Sequence, residues 1–431
     1  MVVGLTDHLH SEGFQDVTKV DDALRILFEA IGQRVTKLER VNVLDCLGRV
    51  VGEDIVADRF IPPADKAVMD GYAVRSEGVQ NASQQHPATL QIVGESVLGE
   101  VCRNTVGPGQ AVAVATGSMM PPGADAVVIV ERTTTLLNHR VAVQAGVNRG
   151  QNVSKKGEDV SPGTVVLKKG HCVRSQDIGI LAALGLRRVR VAKRPKVGIV
   201  STGNELVDSQ VRNQVVKTVD LNRPILSALI QESGGLPVDL GISCDREEEI
   251  LRILHGGLRS CDMILVSAGS SVGRKDIVPK CINMLGKPGM LVHGIAMRPS
   301  LPTGLAVVKG KPILSLPGFP VSAIFAFGTF GRPLMARLMG SVEVVEPIVK
   351  AVVKERITGS PDYRTFVRVV LRRTTEGLIA EPLRAQHSSV LMSMVAANGI
   401  VIIPEHIAFY EVGEVVDVTV IGDILIEGRS Q

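Results

Sequence analysis

Small polar residues and glycines follow an apolar run in the middle of the chain. The run Met263–Val266 predicts a buried strand, and it is followed by the letters SAGSSVG. Parallel sheets bind ligands at the carboxyl ends of their strands, where glycines let backbone N–H groups approach an anion and serine hydroxyls add donors. The segment therefore predicts a phosphate-binding loop, with a tight strand-to-helix turn as the alternative. The candidate donors are Ser267, Gly269, Ser270, Ser271 and Gly273.

Three carboxylates follow predicted strands in the same region. Glu205 lies in the segment STGNEL, directly after a predicted strand at 197–201, and Asp245 and Asp276 follow the next two predicted strands. Because carboxyl ends of parallel strands meet at one sheet edge, these acids would suit Mg²⁺, which bridges carboxylates and a substrate phosphate. The alternatives are a solvated loop position for Glu205 and helix N-caps for the two aspartates.

Two further segments have the residue types of rigid turns. Leu316–Ala323 reads LPGFPVSA, in which Pro317 and Pro320 bracket a glycine and fix a turn before a helix. Phe319 in this turn is a packing residue on the simpler interpretation. Val68–Ala73 reads VMDGYA, and its Asp70-Gly71 pair would ordinarily form a turn.

Regular alternation of strand and helix patterns over residues 195–338 indicates the element that positions these groups. Short apolar runs are separated by amphipathic helices, which is typical of an open, mainly parallel sheet. One helix is expected to begin with Asn222 as its N-cap, and the next with Asp245 as its N-cap. The fold class expected is thus α/β in the centre of the chain.

The flanking segments have other patterns. Thr18–Arg34 predicts an amphipathic helix capped by Thr18, and Glu39–Leu47 predicts a second helix. Residues 50–147 contain short Val/Ile runs between Gly and Pro residues, which favours a compact β module. From about residue 342, strands return without a clear helix, which predicts a small β-barrel or sandwich.

Composition excludes several classes of function. Of the 431 residues 3% are aromatic, none is Trp, and the net charge is only +4, so nucleic-acid binding is not expected. The six cysteines form no CxxC pair, which fits single thiols in a reducing cytoplasm. The N-terminal residues have no apolar signal-peptide core, and the uncharged stretch 313–330 is broken by prolines, so neither secretion nor a membrane span is expected.

The ordered motifs together resemble one family closely, the molybdopterin molybdenumtransferases, which comprise bacterial MoeA and the gephyrin E domain. The resemblance covers nearly the whole chain. It rests on VMDGYA (68–73), ATGSMMPPGADAVV (115–128), GQNVSKKGEDV (150–160), STGNEL (201–206), SAGSSVG (267–273), LPGFPVSA (316–323) and HSSVLMSMVAANGIVIIPE (387–405).

This resemblance implies an elongated, multi-domain homodimer of α/β and β domains. It implies a discontinuous helical and β domain I, a β insertion module as domain II, an α/β molybdopterin-binding domain III and a C-terminal β-barrel as domain IV. The expected bounds are 1–49 with 150–190, 50–149, 191–338 and 339–431.

The resemblance also implies a reaction. The family accepts adenylylated molybdopterin, inserts molybdate at the dithiolene and hydrolyses the adenylate with Mg²⁺, releasing AMP and molybdenum cofactor. Molybdoenzymes or an upstream adenylyltransferase are its expected partners. By motif match, the catalytic residues would be Asp70, Thr116, Glu205, Asp245 and Asp276, with the last three binding metal. Substrate would contact Thr202, Gly203, Ser267, Gly269, Ser270, Ser271, Gly273, Arg298, Pro317, Pro320 and Ser388, with Glu158 and Asp159 as further functional acids.

The chain departs from the family pattern at a few positions. Leu301 replaces a lysine of the family's Lys-Pro-Gly-Lys-Pro segment, where Arg298 retains one cation, and Ala268 replaces a glycine. STGDEL becomes STGNEL, which removes one carboxylate. These changes leave three alternatives to a standard insertase: a tungstate-preferring paralogue, a molybdopterin-binding scaffold without catalysis, and a molybdopterin adenylyltransferase, although the flanking β segments count against the last.

Overall fold

The computed structural model describes residues 17–32, 36–208, 217–268, 277–341 and 346–426. The chain divides into two compact units. The smaller unit consists of Arg40–Leu47 and Val51–Val191, and the larger unit of the chain up to Glu39, Gly48–Val50 and the chain from Ala192 onward.

Eight α-helices occur in the described part of the chain, and none of them is long and apolar enough to cross a membrane. Their apolar residues recur at helical spacing, as in α1, where Val20, Ala23, Leu27 and Ile31 are buried. A π-helical turn at Phe327–Gly331 joins α6 to α7. The helices are α1 (Val20–Ile31), α2 (Ser175–Ala183), α3 (Asn222–Glu232), α4 (Glu247–Ser260), α5 (Ile277–Leu285), α6 (Pro320–Ala326), α7 (Arg332–Met339) and α8 (Met392–Ala396).

Two predictions near the N-terminus are wrong. Thr18 does not cap α1, because its backbone N–H donates to the carbonyl of Gly294 and its carbonyl accepts from Ala296. The predicted helix over 39–47 is a strand at Leu38–Asn42 followed by a 3₁₀ turn at Val43–Asp45. Its sequence alternates apolar and polar residues, and that period fits a strand as well as a short helix.

The smaller unit is built on a six-stranded sheet with the strand order β7-β4-β6-β5-β9-β8. Its interior includes Val74, Leu90 and Val141, so the predicted β module is confirmed. The strands are β1 (Leu38–Asn42), β2 (Ile55–Val56), β3 (Lys66–Ala67), β4 (Gly71–Val74), β5 (Ala88–Ser96), β6 (Gln110–Val114), β7 (Ala126–Ile129), β8 (Thr133–Leu136), β9 (Arg140–Val143), β10 (Val153–Ser154), β11 (Val165–Leu167) and β12 (Arg188–Ala192).

The larger unit contains the predicted open sheet, in the order β16-β13-β17-β21-β20-β18. The first four of these strands are parallel, and β20 and β18 run antiparallel. Helix α3 packs on one face, and α4 and α5 pack on the other. The strands are β13 (Lys196–Thr202), β14 (Leu206–Val207), β15 (Thr218–Val219), β16 (Leu236–Ser243), β17 (Met263–Ala268), β18 (Pro288–His293), β19 (Met297–Arg298), β20 (Gly304–Val308) and β21 (Lys311–Pro317).

The connections make β13 and β17 the switch point of this sheet. The chain leaves β13 through α3 to reach β16 on one side, then returns through α4 to β17 on the other side. A crevice opens at the carboxyl ends of strands where the winding direction reverses in this way. This edge is therefore where the fold itself favours a ligand.

The C-terminal segment forms a closed five-stranded barrel. Strands β24, β25, β22, β28 and β26 follow one another, and pairing of β24 with β26 closes the ring around Val369, Leu371 and Val418. The predicted barrel is confirmed, and the short helix α8 is an addition to it. The strands are β22 (Ile348–Val353), β23 (Ile357–Thr358), β24 (Arg364–Thr374), β25 (Gly377–Pro382), β26 (Gly399–Ile403), β27 (Phe409–Tyr410), β28 (Val415–Val420) and β29 (Leu425–Ile426). The four predicted domain boundaries remain a prediction.

Candidate active site

A pocket of about 410 Å³ lies at the carboxyl edge of the sheet in the larger unit. Its walls come from the ends of β13 and β17, from the start of α3, and from the turn between β21 and α6. These elements meet at the switch point of the sheet. The lining residues are Thr202, Glu205, Leu206, Thr218, Val219, Asp220, Leu221, Asn222, Ser267, Ala268, Gly318, Phe319, Pro320 and Ser389.

Asp220 caps helix α3, in place of the predicted Asn222. One Asp220 carboxylate oxygen accepts hydrogen bonds from the backbone N–H groups of Asn222 (3.0 Å) and Arg223 (3.3 Å). The other oxygen accepts from Nε of Arg223 at 2.6 Å. A carboxylate placed against free N–H groups at a helix start is stabilising, so Asp220 occupies the anion position of this helix.

The Asn222 side chain instead joins three elements of the pocket. Its Nδ2 donates to Ser267 Oγ at the end of β17 (2.6 Å) and to the Gly318 carbonyl in the turn after β21 (2.9 Å), with the Pro317 carbonyl at 3.4 Å. Asn222 is only 4% exposed. The sequence analysis missed this role, and the adjacent helix start gave the signal only for a cap.

Glu205 and Asp245 both follow parallel strands at this edge. The Glu205 carboxylate folds back over Gly203, because a Cβ atom built on Gly203 would lie 2.7 Å from Glu205 Oε1. Asp245 does not cap α4. It forms a reciprocal pair with Asn204, in which the Asn204 N–H donates to Asp245 Oδ2 (3.4 Å) and the Asp245 N–H donates to Asn204 Oδ1 (3.2 Å).

The third predicted carboxylate, Asp276, lies outside the described residues. The same is true of Gly269, Ser270, Ser271 and Gly273 in the predicted loop. Within the described ranges, no three His, Cys, Asp or Glu side chains are arranged to hold a metal ion. Glu205 and Asp245 are nevertheless hard oxygen donors on neighbouring strands, which is the ligand type that Mg²⁺ prefers.

The turn between β21 and α6 carries two of the predicted binding residues. Pro320 begins α6 and is buried, as expected of a proline in a first helical turn. Ser388 faces this turn through its backbone, since its carbonyl accepts from the Val321 N–H at 3.3 Å. Ser389, and not Ser388, lines the pocket.

The segment that departs most from the family pattern does not line this pocket. Arg298 is exposed, and its guanidinium lies 4.5 Å from the centre of the Tyr363 ring. Leu301 is half-buried, and its carbonyl accepts from the Ile295 N–H at 2.9 Å. Ser300 between them is buried and donates from its hydroxyl to the Ser322 carbonyl at 2.7 Å.

Arg368 on β24 is a second residue that the sequence analysis missed. It is fully buried, and none of its three guanidinium nitrogens has a hydrogen-bond partner in the described part of the chain. Burial lowers the pKa of its guanidinium from the ordinary value. Gln386 bonds both its backbone N–H and its carbonyl, which fixes the loop before α8 against β24. An unpaired buried cation is costly, and an oxyanion would satisfy it.

The smaller unit holds the other four predicted acids and hydroxyls. Thr116 donates from its backbone N–H (2.7 Å) and its hydroxyl (2.9 Å) to Asp70 Oδ1. These two bonds lower the pKa of the Asp70 carboxyl. Glu158 Oε2 accepts from the Lys155 N–H at 2.9 Å, and with Asp159 it borders a shallow cavity of about 560 Å³. This cavity is lined by Pro62, Val68, Asn152, Val153, Ser154, Glu158 and Asp159.

A switch-point pocket, a β module and a C-terminal barrel define a class of multi-domain α/β protein, and comparison with known proteins identifies the family. Residues 18–185 match the MoeA N-terminal region (domain I and II). Residues 198–337, which carry most of the pocket, match a probable molybdopterin binding domain. Residues 350–421 match the MoeA C-terminal region (domain IV).

Whole-chain relatives agree. The chain is 31% identical over 375 residues to a molybdopterin molybdenumtransferase of Staphylococcus aureus (strain MSSA476), covering 86% of this chain and 88% of that one. It is 29% identical over 390 residues to the enzyme of the same name from Staphylococcus epidermidis (strain ATCC 12228), covering 90% and 91%. The crystal structure of a molybdopterin biosynthesis MoeA protein from Pyrococcus horikoshii OT3 superimposes with a TM-score of 0.82 at 31% identity, over 94% of this chain and all of that one.

The chain therefore belongs to the molybdopterin molybdenumtransferase family, an enzyme family of molybdenum cofactor biosynthesis. The family and fold class predicted from the motif series are confirmed.

Proposed function

We propose that this protein inserts molybdate into adenylylated molybdopterin, hydrolyses the adenylate and releases AMP and molybdenum cofactor. The observation that carries the proposal is the pocket at the switch point of the sheet. It lies in the segment that matches a probable molybdopterin binding domain, and its wall combines a carboxylate (Glu205), a hydroxyl (Ser267) and an aromatic ring (Phe319). A pterin with a phosphate-bearing side chain needs these three kinds of contact.

Mg²⁺ is the proposed metal. Glu205 and Asp245 would hold it, because they are exposed carboxylates that follow neighbouring parallel strands, and Asp276 is proposed as the third ligand from the motif match. When bound, the ion would neutralise phosphate charge and polarise the bond that breaks. The reciprocal pair with Asn204 holds the backbone of Asp245 in place.

The oxyanion would be held by cations and hydroxyls of the larger unit. Arg368 supplies a buried guanidinium whose nitrogens are unpaired among the described residues, and such a group binds a tetrahedral oxyanion strongly. Ser388 and Arg298 are the further candidates carried by the motif match. Desolvated, preorganised donors of this kind stabilise charge that develops during a reaction.

Asp70 and Thr116 are proposed to complete the active site from the second copy of a homodimer, with Glu158 and Asp159 in supporting roles. We place the enzyme in the cytoplasm, where its cofactor would pass to apo-molybdoenzymes and where an upstream adenylyltransferase would supply the substrate. These assignments rest on the motif resemblance and on the two hydrogen bonds that fix the Asp70 carboxylate.

A coupled assay tests the function. The protein is incubated with adenylylated molybdopterin, Mg²⁺ and either molybdate or tungstate, and AMP release is read together with activation of an apo-molybdoenzyme. Release of AMP and activation with molybdate are expected. Activation with tungstate alone would identify a tungstate-preferring paralogue. Binding without AMP release would contradict the proposal and favour a molybdopterin-binding scaffold, a reading consistent with Leu301 in place of the family lysine.

A further inference from the structure

We infer that Asn222 is a specificity-determining residue whose side-chain oxygen accepts a hydrogen bond from a donor group on the ring system of the bound ligand. The inference rests on the proposed function and deepens it, because it assigns one end of the pocket to a heterocycle rather than to a phosphate. The donor belongs either to the pterin or to the adenine of an adenylylated substrate. Both carry N–H groups on a flat ring.

The orientation of the Asn222 amide is fixed by its neighbours. Two backbone carbonyls, of Pro317 and Gly318, face the same amide atom at 3.4 and 2.9 Å. Carbonyls only accept hydrogen bonds, so this atom must be the NH₂ nitrogen. The other amide atom is therefore the oxygen.

That oxygen has no hydrogen-bond partner among the described residues, although it is buried. Asn222 itself forms part of the pocket wall. A buried acceptor without a donor is unfavourable, and native proteins satisfy nearly all such groups. A donor brought into the pocket by the ligand satisfies it.

The charge around Asn222 excludes a phosphate at this end. Asp220 also lines the pocket and already occupies the free N–H groups at the start of α3. A phosphate here would meet a carboxylate and an amide oxygen, both of which are acceptors. The phosphate is instead expected at the end of β17, where Ser267 and the segment after it lie.

The same amide also holds the pocket in shape. Through Nδ2, Asn222 joins the end of β17 to the turn that follows β21, and these elements are far apart in sequence. A variant that removes the side chain therefore changes both shape and recognition. The experiment must separate the two effects.

The test pairs Asn222→Ala with ligands that lack the donor. Full-length wild type and variant are titrated calorimetrically with pterin and with a pterin methylated at its ring N–H and exocyclic amine. The same titrations use AMP and N6,N6-dimethyl-AMP. If Asn222 accepts from the ring, methylation weakens wild-type binding by about tenfold, and the variant binds the methylated and unmethylated forms of that ligand equally.

The pair of ligands that shows this coupling identifies the source of the donor, pterin or adenine. A purely structural role would weaken both forms alike in the variant and keep their ratio, which would overturn the inference. So would wild-type protein that binds methylated and unmethylated ligands with equal affinity. If wild type releases AMP in the coupled assay while showing no such preference, the inference fails and the proposed function stands.

Asn398 provides a matched control. It is a buried asparagine in the barrel, and its amide is fully paired with the Leu371 N–H (2.6 Å), the Leu371 carbonyl (3.0 Å) and the Asp423 carbonyl (2.8 Å). Asn398→Ala is expected to lower the melting temperature but to keep the wild-type ratio between methylated and unmethylated ligands. Loss of that ratio in the control would show that general loosening explains the effect, and the inference would be rejected.

Discussion

Thr116 holds the carboxylate of Asp70 through two hydrogen bonds to a single oxygen, Oδ1, one from its backbone N–H and one from its hydroxyl. Both side chains are exposed, so nothing else in the smaller unit restrains this carboxylate as directly. The second oxygen, Oδ2, stays available to solvent or to a ligand. The pair therefore fixes the direction in which Asp70 presents its charge.

The first prediction concerns the titration of Asp70. Thr116→Val keeps the backbone bond and removes the hydroxyl donor, so the pKa of Asp70 is expected to rise toward its ordinary value. A carbon-detected NMR titration of the carboxylate measures the shift. Thr116→Ser retains a hydroxyl and is the matched control. Equal Asp70 pKa values in wild type and Thr116→Val would show that the hydroxyl bond does not form in solution.

The second prediction concerns the carboxylate beside Gly203. In Gly203→Ala the new methyl group would lie 2.7 Å from Glu205 Oε1, so the Glu205 side chain must move. Affinity for Mn²⁺, used as a spectroscopic substitute for Mg²⁺, is expected to fall by about tenfold, as for other losses of a positioned metal ligand. Electron paramagnetic resonance titration gives the dissociation constant.

Gly256→Ala is the control for this substitution. Gly256 lies within α4, and a Cβ atom there meets nothing within 4 Å. Alanine favours a helix, so this variant should be slightly more stable and should bind Mn²⁺ like wild type. If Gly203→Ala also binds Mn²⁺ normally, Glu205 is not a ligand of the ion.

The elements of the larger unit could largely be predicted, because strand and helix periods are local. The alternation over residues 195–338 and the strands of the barrel follow from apolar spacing within each segment. The turn with Pro317 and Pro320 lies where expected, at the junction of β21 and α6. The failures lie at segment ends, as for the strand at Leu38–Asn42, where too few residues distinguish the two periods.

The site was less predictable, because its key contacts join distant residues. Asn222 bonds to Ser267 and to Gly318, which lie 45 and 96 positions away in sequence. Local reasoning assigned Asn222 to a helix cap, a role that Asp220 fills. Arg368 stands between valines on a strand, and its burial depends on chain packing that no local pattern encodes.

The third prediction concerns Asp177, which is buried at the start of α2. Burial acts to raise its pKa, but hydrogen bonds from Arg174 and His171 prevail and hold the pKa at about 2. Because the folded value lies below the unfolded value of about 3.9, Asp177 stabilises the fold at neutral pH by about 2 kcal/mol. That contribution is fully present above about pH 4 and is lost as the pH falls towards 2.

Denaturant unfolding at pH 7, 4 and 3 measures this contribution in wild type and in Asp177→Asn. The variant is expected to be less stable at pH 7 and to lose less stability on acidification, since it has no carboxylate to protonate. Arg174→Lys keeps a cation at the helix start and should give an intermediate result. Parallel pH profiles for wild type and Asp177→Asn would contradict the assigned interaction.

The fourth prediction follows from the buried guanidinium of Arg368. Arg368→Met replaces an unpaired cation with an apolar side chain of similar length, so the ligand-free protein is expected to be more stable by about 1–4 kcal/mol. Molybdate should raise the melting temperature of wild type and leave that of Arg368→Met unchanged, because only the guanidinium can pair with the oxyanion. Scanning calorimetry with and without molybdate measures both effects. Arg372→Met, on the same strand but partly exposed, is the control and should keep the wild-type response to molybdate. A molybdate-dependent shift of equal size in Arg368→Met would show that the oxyanion binds elsewhere.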